Sequence, residues 1–167
     1  MAHDLSLPSR APELGQYREY NWDDAAFAVY TLSNKVLPHE VASALEKQWL
    51  EEGMESHLAR PAPAPELNTL QDVMQAHIAL DKGIQRRSDG GAKGDIEWWP
   101  TAFVVAVQED WRAKPGGLLF VFVDEDQDCE TDRFFFNLED SYMMLSSLSF
   151  QDEELPRSKE LYSQDPT

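Results

Sequence analysis

The hydrophobic pattern along the chain divides into two kinds of segment. "AFAVYTL" (Ala26 to Leu32) is a continuous apolar run with branched and aromatic residues, the pattern of a strand covered on both faces. "TAFVVAV" (Thr101 to Val107), "GLLFVFV" (Gly117 to Val123) and "RFFFNL" (Arg133 to Leu138) are equally rich in strand formers and are separated by turn signals, which predicts three more strands. Elsewhere the period lengthens to that of a helix. Pro38 opens "PHEVASALEKQWLEEG", with Glu40 near the positive helix end and Gly53 as a left-handed stop. Val41, Leu45 and Trp49 recur at four-residue spacing and are expected on the sheet, with Glu46, Lys47 and Glu51 in water. Thr69 followed by Asp72 starts a second helix, in which Leu70, Val73, Met74, His77 and Ile78 share a face. "LEDSYMMLSSL" and "DEELPRSKELYS" predict two short helices near the carboxyl end, with Pro156 in a first turn.

Three stretches lack either period. Residues 1–21 have scattered prolines and few aliphatics, and are expected to be an arm that is extended, or disordered until it docks, with Tyr17, Tyr20 and Trp22 pinning its end. "RPAPAPE" (Arg60 to Glu66) reads as a stiff connector, neither helix nor ladder strand. "DKGIQRRSDGGAKGD" (Asp81 to Asp95) is glycine-rich and locally basic, and reads as a mobile loop. The order strand, two helices, three strands, helices predicts an α/β or α+β single-domain sandwich over residues 22–167. Its mixed sheet has four or five strands, and the last two form a carboxyl-terminal hairpin.

Length and composition agree with that picture: 167 residues, 42% hydrophobic and 11% aromatic, suit one buried core. Charge adds something new. Fourteen basic residues against thirty-one acidic give −17, which disfavours direct contact with nucleic acid or an anionic membrane surface. From Val121 to Thr167 thirteen acidic residues face three basic ones, a local balance of −10. A basic protein partner fits this surface, and a small apolar ligand is a second possibility. The lone Cys129 forms no internal disulfide, and no signal-like or membrane-length apolar run is evident, so the cytosol is the expected compartment.

The candidate chemistry is sparse. Asp124, Asp126 and Asp128 alternate like calcium ligands, but Cys129 stands where the loop glycine belongs and Phe135 where the closing glutamate belongs. Asp124, Glu125, Asp126, Asp128, Glu130 and Asp132 are therefore read as a solvated turn and a docking surface for the basic partner, with no metal and no cofactor. "GGAKGD" lacks the ending and the following helix of a phosphate loop. The four histidines show no helical i, i+4 pair, which argues against a zinc centre. His77, on an apolar helix stripe, and Glu97, beside tryptophans, are the acid–base candidates of an alternative reading. That reading is a small cofactor-independent enzyme of isomerase, cyclase or hydratase type, its pocket lined by Trp98, Trp99 and Trp111. Paired tryptophans before a strand more often fill a core, one ring on each face. A third reading shares the acidity of the first: an acidic mimic of nucleic acid that blocks a nucleic-acid-binding protein.

Overall fold

The strand Trp98–Ala106 is buried along its whole length, on both faces. Such a strand must be covered from two sides and have neighbours on both edges, and the rest of the molecule is arranged to provide this. A computed structural model describes residues 4–64, 67–86 and 94–164.

The strands in chain order are β1 (Ala26–Thr31), β2 (Ala59–Pro61), β3 (Gln85–Arg86), β4 (Gly94–Asp95), β5 (Trp98–Ala106), β6 (Leu118–Asp124) and β7 (Glu130–Phe136). The helices are α1 (Pro38–Glu51), α2 (Leu70–Ala79), α3 (Ser141–Ser149) and α4 (Leu155–Tyr162). Five strands make one mixed sheet in the order β2-β1-β5-β6-β7. The β2–β1 and β1–β5 pairs are parallel, and the β5–β6 and β6–β7 pairs are antiparallel. Parallel neighbours require crossovers, and these carry α1 between β1 and β2, and α2 between β2 and β5. The short β3–β4 ribbon lies outside the main sheet.

Side chains alternate along each strand, so the sheet separates two apolar clusters. On one face Phe27, Val29, Val104, Phe120 and Phe136 pack with Val41, Leu45 and Trp49 of α1 and Met144, Leu145 and Leu148 of α3. On the other Ala28, Tyr30, Phe103, Val105, Leu119 and Val121 pack with Leu70, Val73 and Met74 of α2. That second face is completed by Ala11 and Leu14, carried by a 3-10 turn at Pro12–Gly15. The sheet edge at β7 is covered by residues 5–11 and by Gln164. Thr131 N–H donates to Ser9 O, Ala11 N–H to Cys129 O, and Gln164 N–H to Phe135 O. The Thr131 hydroxyl donates to Pro8 O and the Arg133 guanidinium to Leu5 O. Backbone that would otherwise invite another strand is thereby occupied.

Helix boundaries follow local chemistry. Thr69 and Asp72 form a reciprocal capping box at the start of α2, and Gly53 lies at φ +87° just past α1.

Several expectations need correction. Ala59–Pro61 is a strand rather than a connector, in register with Phe27 to Val29. Its proline is tolerated because β2 is an edge strand and the donors toward β1 come from alternate residues: Ala62, not Pro61, gives the N–H to Val29 O at 3.0 Å. Trp98–Ala106 begins ahead of the expected start at Thr101 and contains Pro100; its pairing with β1 shifts register between Ala26 and Ala28, an irregularity that accommodates the missing N–H. The final strand begins at Glu130, so Glu130 and Asp132 belong to the ladder and not to a turn. Within the expected mobile loop, Lys82 is buried and donates to the carbonyls of His77 and Leu80 at 2.6 and 2.8 Å. The flanks of that loop pair as β3 and β4, and residues 87–93, like Pro65 and Glu66 of the connector, lie outside the described residues.

Glu46 also departs from expectation: it is buried. Its carboxylate accepts the backbone N–H groups of Leu58 and Ala59 at 3.2 and 3.3 Å and faces His57 Nδ1 at 3.0 Å. A buried carboxylate persists only with such donors, and here it fastens α1 to the start of β2. Replacing Glu46 by Ala is expected to lower stability by about 1–3 kcal/mol, and Gln, which keeps one acceptor oxygen, by less. Urea unfolding of the three proteins checks this; an alanine variant as stable as the parent would mean that these amides find another acceptor.

Candidate functional site

As β6 ends, the Asp124 carboxylate accepts the N–H of Asp126 at 3.0 Å and opens a 3-10 turn at Glu125–Gln127. Asp128 and Cys129 then adopt φ +56° and +59°, and Cys129 N–H closes onto Asp124 O at 2.9 Å. Left-handed backbone is tolerated at an aspartate, whose short polar side chain suits it, and it returns the chain into β7. This geometry projects Asp124, Glu125 and Asp126 toward the start of β5.

Two other segments meet there. Residues 18–22 bring Arg18, Tyr20 and Trp22, and the α3–α4 junction brings Gln151, Glu153 and Glu154. Together with Trp99, and with Thr101, Val123 and Leu148 beneath, they enclose a groove of about 480 Å³. Trp99 stacks on Phe27 with centroids 4.7 Å apart and meets the edge of Trp22 at 5.0 Å. The Trp22 indole donates to Tyr17 O at 2.9 Å. The Trp99 indole N–H, by contrast, is buried and has no acceptor among the described residues. An orphaned donor of this kind costs about 1–3 kcal/mol and marks a place where an acceptor would be stabilising.

The groove is acidic on two sides of its lining. Asp124, Glu125 and Asp126 come from the turn, and Glu153 and Glu154 from the helix junction. Among the described residues of the lining Arg18 is the cation that answers the turn: its Nε lies 2.5 Å from Glu125 Oε2, and its Nη2 3.6 Å from Asp126 Oδ1. The Glu125 carboxylate beside it holds the Arg18 guanidinium above its ordinary pKa. Arg18 is 60% exposed at its side chain whereas Glu125 is 18% exposed, so the carboxylate is the withdrawn partner of the pair.

The expected site residues divide. Asp124, Glu125, Asp126 and Trp99 are brought together. Asp128 and Glu130 point into water, and Asp132 is held by Lys159 Nζ at 2.9 Å from both carboxylate oxygens. Trp98 is buried on the opposite face of the sheet from Trp99, with the Arg60 guanidinium 4.8 Å from its ring. Trp111 is buried in the α1-side cluster beneath Arg112. Neither lines the groove. Glu97 is exposed and lines a separate cavity of about 440 Å³ with Asp24, His57 and Arg60. His77 has no exposed surface at all. Its Nε2 donates to the carbonyls of Trp99 and Pro100, each at 3.1 Å, which fixes the tautomer and leaves Nδ1 to accept the Tyr30 hydroxyl at 2.8 Å. The imidazole is a structural tie between α2, β1 and β5, and does not share a cavity with Glu97. Burial and the neighbouring Glu125 push the Cys129 thiol up, away from a reactive thiolate. Among the described residues no group of three or more His, Cys, Asp or Glu is placed to hold a metal ion, and no helix is long and apolar enough to cross a membrane.

Sequence reading did not find Arg18, Glu153 or Glu154, and assigned Tyr20 and Trp22 only an anchoring role. The available signal was the concentration of aromatics at the end of an arm otherwise poor in apolar residues. No family model, curated protein or solved structure matches the chain.

His77 makes a measurable contribution to pH dependence. Burial, then the positive charge of Lys82, lowers its pKa from 6.5 to about 3. The folded state keeps the ring neutral while the unfolded chain protonates it, so stability is complete above pH 6.5 and falls as pH drops through that window, by up to about 1.4 kcal/mol per pH unit. In His77→Gln, which keeps a donor and an acceptor but cannot titrate, the difference from the parent should shrink steadily between pH 6.5 and 3. Urea unfolding across that range tests it, and parallel curves would remove His77 from the account.

Proposed function

We propose that the chain is a binding module for a basic segment of another protein, which it receives in the groove between the β6–β7 turn and the α3–α4 junction. The observation that carries this reading is the convergence of five carboxylates, from Asp124 to Asp126 and Glu153 to Glu154, on a cavity walled by Trp22 and Trp99. Aromatic faces and carboxylates both favour a cation, and the indole edge favours a carbonyl; a basic peptide brings both. The overall charge of −17 steers such a partner in and repels phosphate-rich competitors. Cys129, the one cysteine, agrees with a reducing compartment, and the cytosol is the setting of this proposal.

The alternative of acid–base catalysis needs a reachable imidazole next to a carboxylate. His77 is enclosed and Glu97 lines a different cavity, so nothing in the geometry favours that reading.

A lysine- and arginine-rich decapeptide, titrated calorimetrically into the full chain, tests the proposal. Saturable one-to-one binding that weakens with salt is expected. Changing Asp124 and Asp126 to Asn and Glu125 to Gln should weaken it roughly tenfold, three exposed pairs at up to about 1 kcal/mol each being the upper bound. Changing the exposed Glu51, Glu52 and Glu55 to Gln removes the same charge elsewhere and should have a smaller effect. Equal losses in the two triple variants would show that only net charge attracts the peptide, and would dispose of the groove.

A further inference from the structure

We infer that the groove is specific for an arginine side chain, and that Arg18 is its resident intramolecular occupant, to be displaced by an arginine of the partner. This rests on the reading of the groove as a site for a basic segment.

The first ground is geometric. Glu125 accepts a hydrogen bond from Arg18 Nε at 2.5 Å, while the consecutive Asp126, exposed at its side chain, lies 3.6 Å from Nη2 as an ion pair without a hydrogen bond. A planar fork presents several donors at fixed separations and can serve two carboxylates at once, whereas an ammonium is a single compact charge on a flexible stem. Glu125, 18% exposed, has largely given up water. It is best satisfied by a weakly hydrated cation that donates in its plane, and that again selects guanidinium.

The second ground is that Arg18 satisfies the site incompletely. A guanidinium has donors only, so it cannot answer the buried, unpartnered N–H of Trp99 on the groove wall. A peptide delivers backbone carbonyls along with its arginine. Glu153 and Glu154 line the same groove; Glu153 lies in the field of Arg157, a cation already engaged with Glu160, so both carboxylates have capacity for a further cation. The charge and the acceptor missing from the resident state are both supplied by a basic peptide.

The third ground is that Arg18 is held loosely enough to leave. Its side chain is 60% exposed and it contacts the acidic turn at its tip. The arginine side of the pair stays in water while Glu125 is withdrawn, so an incoming guanidinium takes over the same carboxylate and competes with Arg18 on nearly equal terms.

The experiment uses two capped tripeptides, acetyl-Gly-Arg-Gly-amide and its lysine counterpart, titrated into the full chain at about 0.15 M salt, where long-range attraction is damped. Nuclear magnetic resonance follows the indole N–H signals of Trp22 and Trp99. The arginine peptide should bind more tightly than the lysine peptide, and it should move the Trp99 indole signal downfield as that group gains an acceptor. Arg18→Ala should raise the affinity for the arginine peptide about two- to fivefold, the competition expected from an exposed pair. Adding Glu125→Gln to that variant should abolish the gain. Unchanged indole signals in the peptide-free Arg18→Ala protein establish that it is folded, and Arg18→Gln serves as a second variant if they differ. Equal affinities for the two peptides, no gain in the Arg18 variants, or no binding of either peptide overturns the inference. If the basic decapeptide still binds in the groove, the proposed function survives that failure; if it does not bind, the two fall together.

Discussion

The constraint on which this structure depends is a sheet apolar on both faces. β5 offers nine consecutive buried residues, so no single layer of helices suffices. α1 and α3 cover one face; α2 covers part of the other and leaves the rest to Ala11 and Leu14. The amino-terminal segment is therefore a component of the core. It must also cross from one face to the other, because Ala11 and Leu14 belong to the α2-side cluster whereas Tyr17, Tyr20 and Trp22 pack against the α1-side cluster. The crossing takes place at the end of the sheet where β5 starts and β6 stops. The groove is a by-product of that crossing: a wall of aromatics on one side, the acidic turn on the other, and Arg18 between them.

Buried polar groups tie the layers together at three points, each with its own geometry. His77 joins α2 to Tyr30 and to the carbonyls beside the irregular start of β5. Glu46 joins α1 to β2. Lys82 closes the carboxyl end of α2 and lies 5.6 Å from the Tyr17 ring. Burial lowers the Lys82 pKa to about 8, since the charged form is stripped of water. Such groups add little net stability compared with apolar substitutes, but they allow one packing arrangement and penalise others.

Much of the fold was legible because its signals are local. Pro38 and Gly53 bracket α1, Thr69 and Asp72 cap α2, and the continuous apolar runs mark β1, β5 and β6. What escaped was decided by residues distant in sequence. Ala59–Pro61 has no strand signature of its own and becomes a strand because β1 presents an open edge and Glu46 receives its first amides. Glu46 sits on the polar side of a helical period and is buried only because the chain following α1 folds back over it. The site was half legible for the same reason. Asp124 to Asp126 announce themselves as a run, but nothing local says that Arg18 reaches them across 107 positions or that Glu153 and Glu154 face the same cavity.

The pairing of the amino-terminal residues with β7 has a consequence for how the molecule comes into being. The contacts from Pro8 to Thr131 and from Leu5 to Arg133 span 123 and 128 positions. Closing so long a loop costs little more than closing a short one, because the entropy grows only with the logarithm of length. The rate is another matter, since contacts so distant in sequence form slowly compared with local ones. The β7 edge stays unpaired until residues 5–11 reach it, and the groove is complete only once Arg18 and Trp22 are in place.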